Sequence, residues 1–222
     1  MKERPIVFSA PMVRAILDGS KTQTRRVVKD LQGADYNDFA SWNRPTHVLD
    51  AARKHGRFGF SGRIYGDGTI GSPFSIPCPY GQPGDRLWVR ETWRGLVEIS
   101  EPNAIKPEYG IARYVPDQKH CRRVDYAATQ ERDDEPWRPS IHMPRWASRI
   151  LLEIVSVRVE RLHAITLGDI CKEGLARSIY DFKPATAGFG AFADLWQSIN
   201  GAGSWDANPW VWVVEFKRVA PC

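Results

Sequence analysis

The sequence predicts an α+β protein, a small mixed β-barrel with helices outside it. Three observations predict it. Runs rich in β-branched and aromatic residues recur at 22–28, 86–93, 148–162 and 210–216. Apolar residues at helical spacing form only short segments between these runs, the first before the first strand, and a strand closes the pattern. No G-x-x-x-x-G-K-[ST] element is present, which argues against a P-loop sheet.

Taken in order, Ser9 is placed to cap a first helix, Pro11 suits its first turn, and Met12, Val13, Ile16 and Leu17 recur at helical spacing before Gly19 ends it. Residues 22–28 then read as a strand. From 29 to about 77 the periodicity fades into Gly, Asn, Asp and Pro, as in an insertion of irregular hairpins. The segment "GQPGDRLWVRETW" (81–93) is a Pro-Gly turn feeding one strand, with Leu87, Val89, Glu91 and Trp93 on a common face. Residues 95–139 form a charged second insertion in which "ERDDEPW" reads as a solvated excursion.

Ile150, Leu152 and Ile154 alternate, and the phase then shifts to Val157 and Val159, predicting a bulge near Val155 and Ser156. Thr166 and Asp169 form a capping-box pattern for a short helix running through Glu173 to a stop at Gly174. Phe189, Phe192, Trp196 and Ile199 mark the buried face of a further helix ending at Asn200-Gly201. Trp212, Val214 and Phe216 line one face of the closing strand, with Glu215 and Lys217 on the other. The chain therefore reads as one domain over 1–222 with insertions at about 29–77 and 95–139.

A net charge of +5 and a pI near 9.1 favour an anionic partner. The four cysteines show no C-x-x-C spacing, so neither a zinc site nor a disulfide framework is indicated, and reduced thiols in a cytoplasm fit best. No apolar run approaches the roughly 20 residues of a membrane helix, and the start MKERPIVFSAPM lacks a long apolar core. The expectation is a soluble, unexported, cytoplasmic protein. Its nine tryptophans either fill core or stack on a base.

The stretch "LDGSKTQTRRVV" (17–28) concentrates chemistry. A threonine hydroxyl is a poor nucleophile until a base takes its proton, and a lysine serves if burial or neighbouring cations such as Arg25 and Arg26 lower its proton affinity. Lys21 and Thr24 are that pair, or else the segment is an ordinary solvated basic turn. Residues three apart on a strand point oppositely, so Lys21 must sit in the turn for the two to meet. In "IHMPRWASR", a pyrimidine stacks on Trp146 while Arg145 or Arg149 holds ribose or phosphate; the alternative has Trp146 plugging one barrel end. "WDANPW" (205–210) is a pocket rim or, the favoured reading, a capped loop, and His142 reads as structural. With no second ligand beside His142, no metal and no cofactor are expected.

In order along the chain, "ILDGSKTQTRR", "PGDRLWVRE", "ICKEGL" and "WVWVVEF" resemble ASCH-domain proteins, and "SIHMPRWASRI" with "GSWDANPWVWVVEF" is similar to the large phage and bacterial form. The resemblance implies a PUA-like β-barrel. It also implies an amidohydrolase acting on N4-acylated cytosine nucleosides such as N4-acetylcytidine, with Lys21 and Thr24 from the G-x-K-T-x-T element and Glu173 from the end of the short helix. Glu91 competes for the third role because the strand pattern aims it inward. Glu91, Trp93, Arg145, Trp146, Arg149 and Arg26 are the candidate substrate contacts. The rival expectations are an RNA-binding PUA-like module, or a ribonuclease in which Lys21 assists a 2′-hydroxyl.

Overall fold

A computed structural model describes residues 1–29, 57–60, 74–100, 105–131 and 133–220. Most of the insertion expected over 29–77 lies outside the described residues. In chain order the elements are β1 (Glu3–Val7), α1 (Ala10–Leu17), β2 (Gln23–Val27), β3 (Arg57–Phe60), β4 (Phe74–Pro77), β5 (Arg86–Arg90) and β6 (Trp93–Glu98). There follow β7 (Tyr109–Ile111), β8 (Cys121–Tyr126), β9 (Leu151–Arg161), α2 (Leu167–Lys172), α3 (Ala187–Asn200) and β10 (Trp210–Val219). The protein is thus mixed α+β.

The main sheet runs β1-β5-β9-β10-β2, with β1 parallel to β5 and the other pairs antiparallel. Among the described residues it is open, and β1 and β2 are its edges. A side chain rather than a ladder links those edges: Arg26 of β2 donates to the Val7 carbonyl at 2.7 Å. The inner face carries Leu152, Ile154, Trp212, Val214 and Phe216 against Val13 and Ile16 of α1. Each such fully buried side chain contributes about 1.5–3 kcal/mol relative to exposure. Ser9 precedes α1 in extended backbone, but its side chain makes no capping bond, so the expected cap is absent.

The bulge falls where the phase shift predicts it. Glu215 opposes Ser156 and Phe216 opposes Ile154, which leaves Val155 as the extra residue. One inserted residue keeps Ile154 and Val157 on the same face. β10 departs from simple amphipathicity: Val211 and Val213 on its second face are buried against Ile170, Phe192 and Trp196 of the two covering helices. Lys217 on that face is exposed, whereas Glu215 is only half-exposed. Thr166 and Asp169 close a complete capping box at α2, and Gly201 with φ 97° ends α3. Ile199 is half exposed and lies off the buried face expected for it.

The strand expected over 81–93 is two strands. β5 stops at Arg90, and Trp93 opens β6 in a separate sheet of order β7-β6-β8, where it pairs with Tyr126. Glu91 lies at the crossing between the sheets. The "ERDDEPW" segment is not simply solvated, because Asp133 forks onto Arg94 at 2.7 and 2.6 Å and Trp137 lies under the same guanidinium.

Candidate functional site

Backbone bonds fix Lys21 between three elements. Its N–H donates to the Ala15 carbonyl at 2.8 Å, while Thr22 N–H reaches the Lys172 carbonyl at the end of α2 and Phe216 N–H reaches Thr22 O, both at 2.9 Å. Gly174 makes the approach of α2 possible. Its φ is +88°, and a Cβ there would lie 2.9 Å from Ala15 Cβ and 3.0 Å from Lys21 Cβ. Glu173, the last residue before that turn, is thereby brought against Lys21.

The Lys21 side chain has no solvent exposure, and Nζ uses three acceptors: Gln23 O at 2.8 Å, Glu173 O at 2.9 Å and Glu173 Oε2 at 2.8 Å. This is a fully satisfied ammonium. Burial nonetheless pushes its pKa below the ordinary lysine value; Glu173 opposes that shift, and Arg26 and Arg25 add to it. The solvated basic turn is excluded, since Lys21, Thr24 and Arg25 are all buried. Lys21 sits just before β2, in the turn, as the geometry required.

Thr24 faces the inner core opposite Val214, and among the described residues its hydroxyl is not an acceptor of Lys21. Taking the Thr24 proton therefore requires Nζ to give up one of its three bonds. The Phe8 ring centroid lies 5.7 Å from Lys21 Nζ and 5.3 Å from the Arg26 guanidinium carbon, so one aromatic ring borders both cations.

The other face of β2 carries a charge network that the sequence reading missed. Arg25 binds Glu160 at 2.5 Å, Asp169 at 3.3 Å and Glu173 Oε1 at 3.2 Å. Arg158 joins Glu160, Asp169 and Glu215. The fully buried Gln23 amide, with its NH₂ turned toward the carboxylates, donates to Asp169 Oδ1 at 3.2 Å and Glu215 Oε1 at 3.1 Å. The available signal was period-2 polarity, Gln23 and Arg25 on one strand and Ser156, Arg158 and Glu160 on another.

The remaining candidates lie apart from Lys21 in their contacts. Glu91 is buried, but Arg149 takes both its oxygens at 3.0 and 2.9 Å while stacking on Tyr126, 4.0 Å away. Trp93 is fully buried and meets Trp146 edge-on at 6.0 Å. Arg145 pairs with Glu3 at 2.8 Å. These side chains tie the second sheet and the 140–149 segment to the main sheet. His142 is exposed. Trp205 packs on His163 at 4.5 Å within the loop before β10. A cavity of about 210 Å³ lies elsewhere, lined by Lys2, Arg4, Cys78, Gln82 and Asp85.

No group of three or more His, Cys, Asp or Glu that could hold a metal occurs among the described residues, and no helix there is long and apolar enough to cross a membrane. No family model matches the chain, and no curated protein or solved structure is significantly similar to it.

Proposed function

We propose that the chain is an amidohydrolase that removes the acyl group from N4-acylated cytosine nucleosides, built on a PUA-like ASCH domain. The observation that carries the reading is the buried Lys21–Glu173 pair at the start of the strand that bears Thr24. A lysine whose lowered pKa makes its neutral amine accessible, next to a hydroxyl-bearing strand, is the base a threonine nucleophile needs. Thr24 Oγ attacks the acyl carbonyl as Lys21 takes its proton, and Lys21 returns that proton to the departing N4 amine. Water then hydrolyses the acyl-threonine ester, releasing the carboxylic acid and restoring the Thr24 hydroxyl. Glu173 orients Lys21 and stabilises its charged form. Arg26, beside Phe8, borders the site as a substrate contact.

Arg145 and Arg149, candidate contacts in the amidohydrolase and RNA-binding readings alike, are committed to Glu3 and Glu91 and favour neither. Incubating purified protein with N4-acetylcytidine while following cytidine tests the proposal. Cytidine release is expected. Absence of turnover, with salt-dependent binding or cleavage of unmodified RNA, overturns it.

A further inference from the structure

The Glu173 carboxylate is shared between two cations, Lys21 in the turn before β2 and Arg25 within β2. Oε2 meets Lys21 at 2.8 Å, and Oε1 meets Arg25 Nη1 at 3.2 Å. Arg25 is itself 4 % exposed and held at its other nitrogen by Glu160 and Asp169. We propose that Arg25 is the positioning residue of the Lys21–Glu173 pair: it binds one oxygen of Glu173, turns the other toward Lys21, and prevents Lys21 from being the carboxylate's sole counter-ion. The inference rests on the amidohydrolase reading for its catalytic meaning, but the geometry it describes is independent of any substrate.

The alternation of β2 explains why Arg25 suits this task. Thr24 faces the inner core, so its neighbours Gln23 and Arg25 face the helix side, where α2 presents Asp169 and Glu173. The planar guanidinium fork satisfies carboxylates on separate elements at once, which an ammonium does less well. Three charged groups act on Lys21 in known directions. Glu173 favours the protonated Lys21, while Arg25 and Arg26 from β2 disfavour it. Glu160 and Arg158 from β9, Glu215 from β10, and Asp169 and Lys172 from α2 form the rest of the network around Arg25. Removing Arg25 deletes a repelling cation and frees Glu173 for Lys21 alone. Both changes make Lys21 hold its proton more tightly.

The test is the titration of Lys21 followed by NMR of ¹³C-labelled lysine, with the signal assigned by its loss in Lys21→Met. Arg25→Gln is expected to move the titration to higher pH, and Arg25→Lys, which keeps the charge, to leave it nearer the wild type. Because Arg25→Gln strands buried carboxylates, Arg25→Gln with Glu160→Gln is measured beside it and is expected to shift in the same direction. A titration unmoved or lowered in both Gln variants, or moved as far in Arg25→Lys, overturns the proposal. If wild type hydrolyses N4-acetylcytidine, the acidic limb of its rate profile should follow the same displacement, with rate falling about tenfold per pH unit below it; a limb that stays fixed while Lys21 moves also overturns it. Absence of hydrolysis by wild type sinks the amidohydrolase reading and leaves the NMR result to decide the Arg25 relationship.

Discussion

Lys21 and Glu173, 152 positions apart in the chain, meet at 2.8 Å with neither side chain appreciably exposed. A buried ion pair is weak evidence for stability, because desolvation offsets much of its Coulombic gain. Two further observations argue for chemistry. The pair stands beside a strand whose next inward residue is Thr24, and the lysine keeps a lowered proton affinity despite its carboxylate.

Thr24→Val and Lys21→Met should each lower hydrolysis of N4-acetylcytidine by about a hundredfold or more, since nucleophile and base act in one step. Both replacements keep approximate volume and leave Glu173 paired with Arg25. The double variant should be no slower than the worse single one. A much slower double variant would show independent contributions and refute the shared step.

Much of this site's frame was legible because its signals are local. Thr166, Asp169 and Gly174 lie within nine residues and announce a capped, sharply ended helix. The phase shift around Val155 announces the bulge. What was not legible depends on distant partners. Nothing near Glu91 says that Arg149 will claim it, and the break before Trp93 exists because Trp93 pairs with Tyr126 in another sheet. Arg25 looked like one cation of a basic turn, since the carboxylates that bury it come from β9 and α2.

The Lys21 shift also predicts how stability depends on pH. Its folded pKa lies below the ordinary 10.5, so between the two values the unfolded chain holds the proton that the folded chain has lost. Stability then rises with pH across that window, and the penalty of burying the charge applies fully below it. The difference in unfolding free energy, wild type minus Lys21→Met, should therefore increase as pH climbs toward 10.5. Taking the difference removes groups common to both, including Tyr126, whose pKa burial pushes up to about 12. Denaturant unfolding at several pH values measures it, and a difference that falls with pH contradicts the lowered Lys21 pKa.

Gly174→Ala tests the close approach of α2. The left-handed backbone costs about 1–3 kcal/mol for a side chain, and the added Cβ has Ala15 and Lys21 within 3.0 Å. Lower stability and lower turnover are both expected, because relieving the contact moves Glu173 from Lys21. Gly84→Ala is the control: its φ is also positive at +88°, but nothing lies within 4 Å. It should destabilise without changing turnover in the folded protein. Equal losses of turnover in both variants would detach Gly174 from the site.

Glu173→Gln and Glu91→Gln separate the two buried carboxylates by what each holds. Glu173→Gln keeps the shape but leaves Lys21 without its anionic partner, so the amine is not oriented and the ammonium formed when it takes a proton is not stabilised. Turnover should fall about a hundredfold or more. Glu91 instead holds Arg149 in a fork that joins the second sheet to the first, and Arg149 is partly exposed, so water softens the loss of charge. Glu91→Gln should cost about 1–2 kcal/mol of stability, seen as a lower melting temperature, with turnover at low temperature close to wild type. If Glu91→Gln is the inactive enzyme and Glu173→Gln is not, catalysis belongs at the junction of the two sheets, and Lys21–Glu173 is only a structural pair.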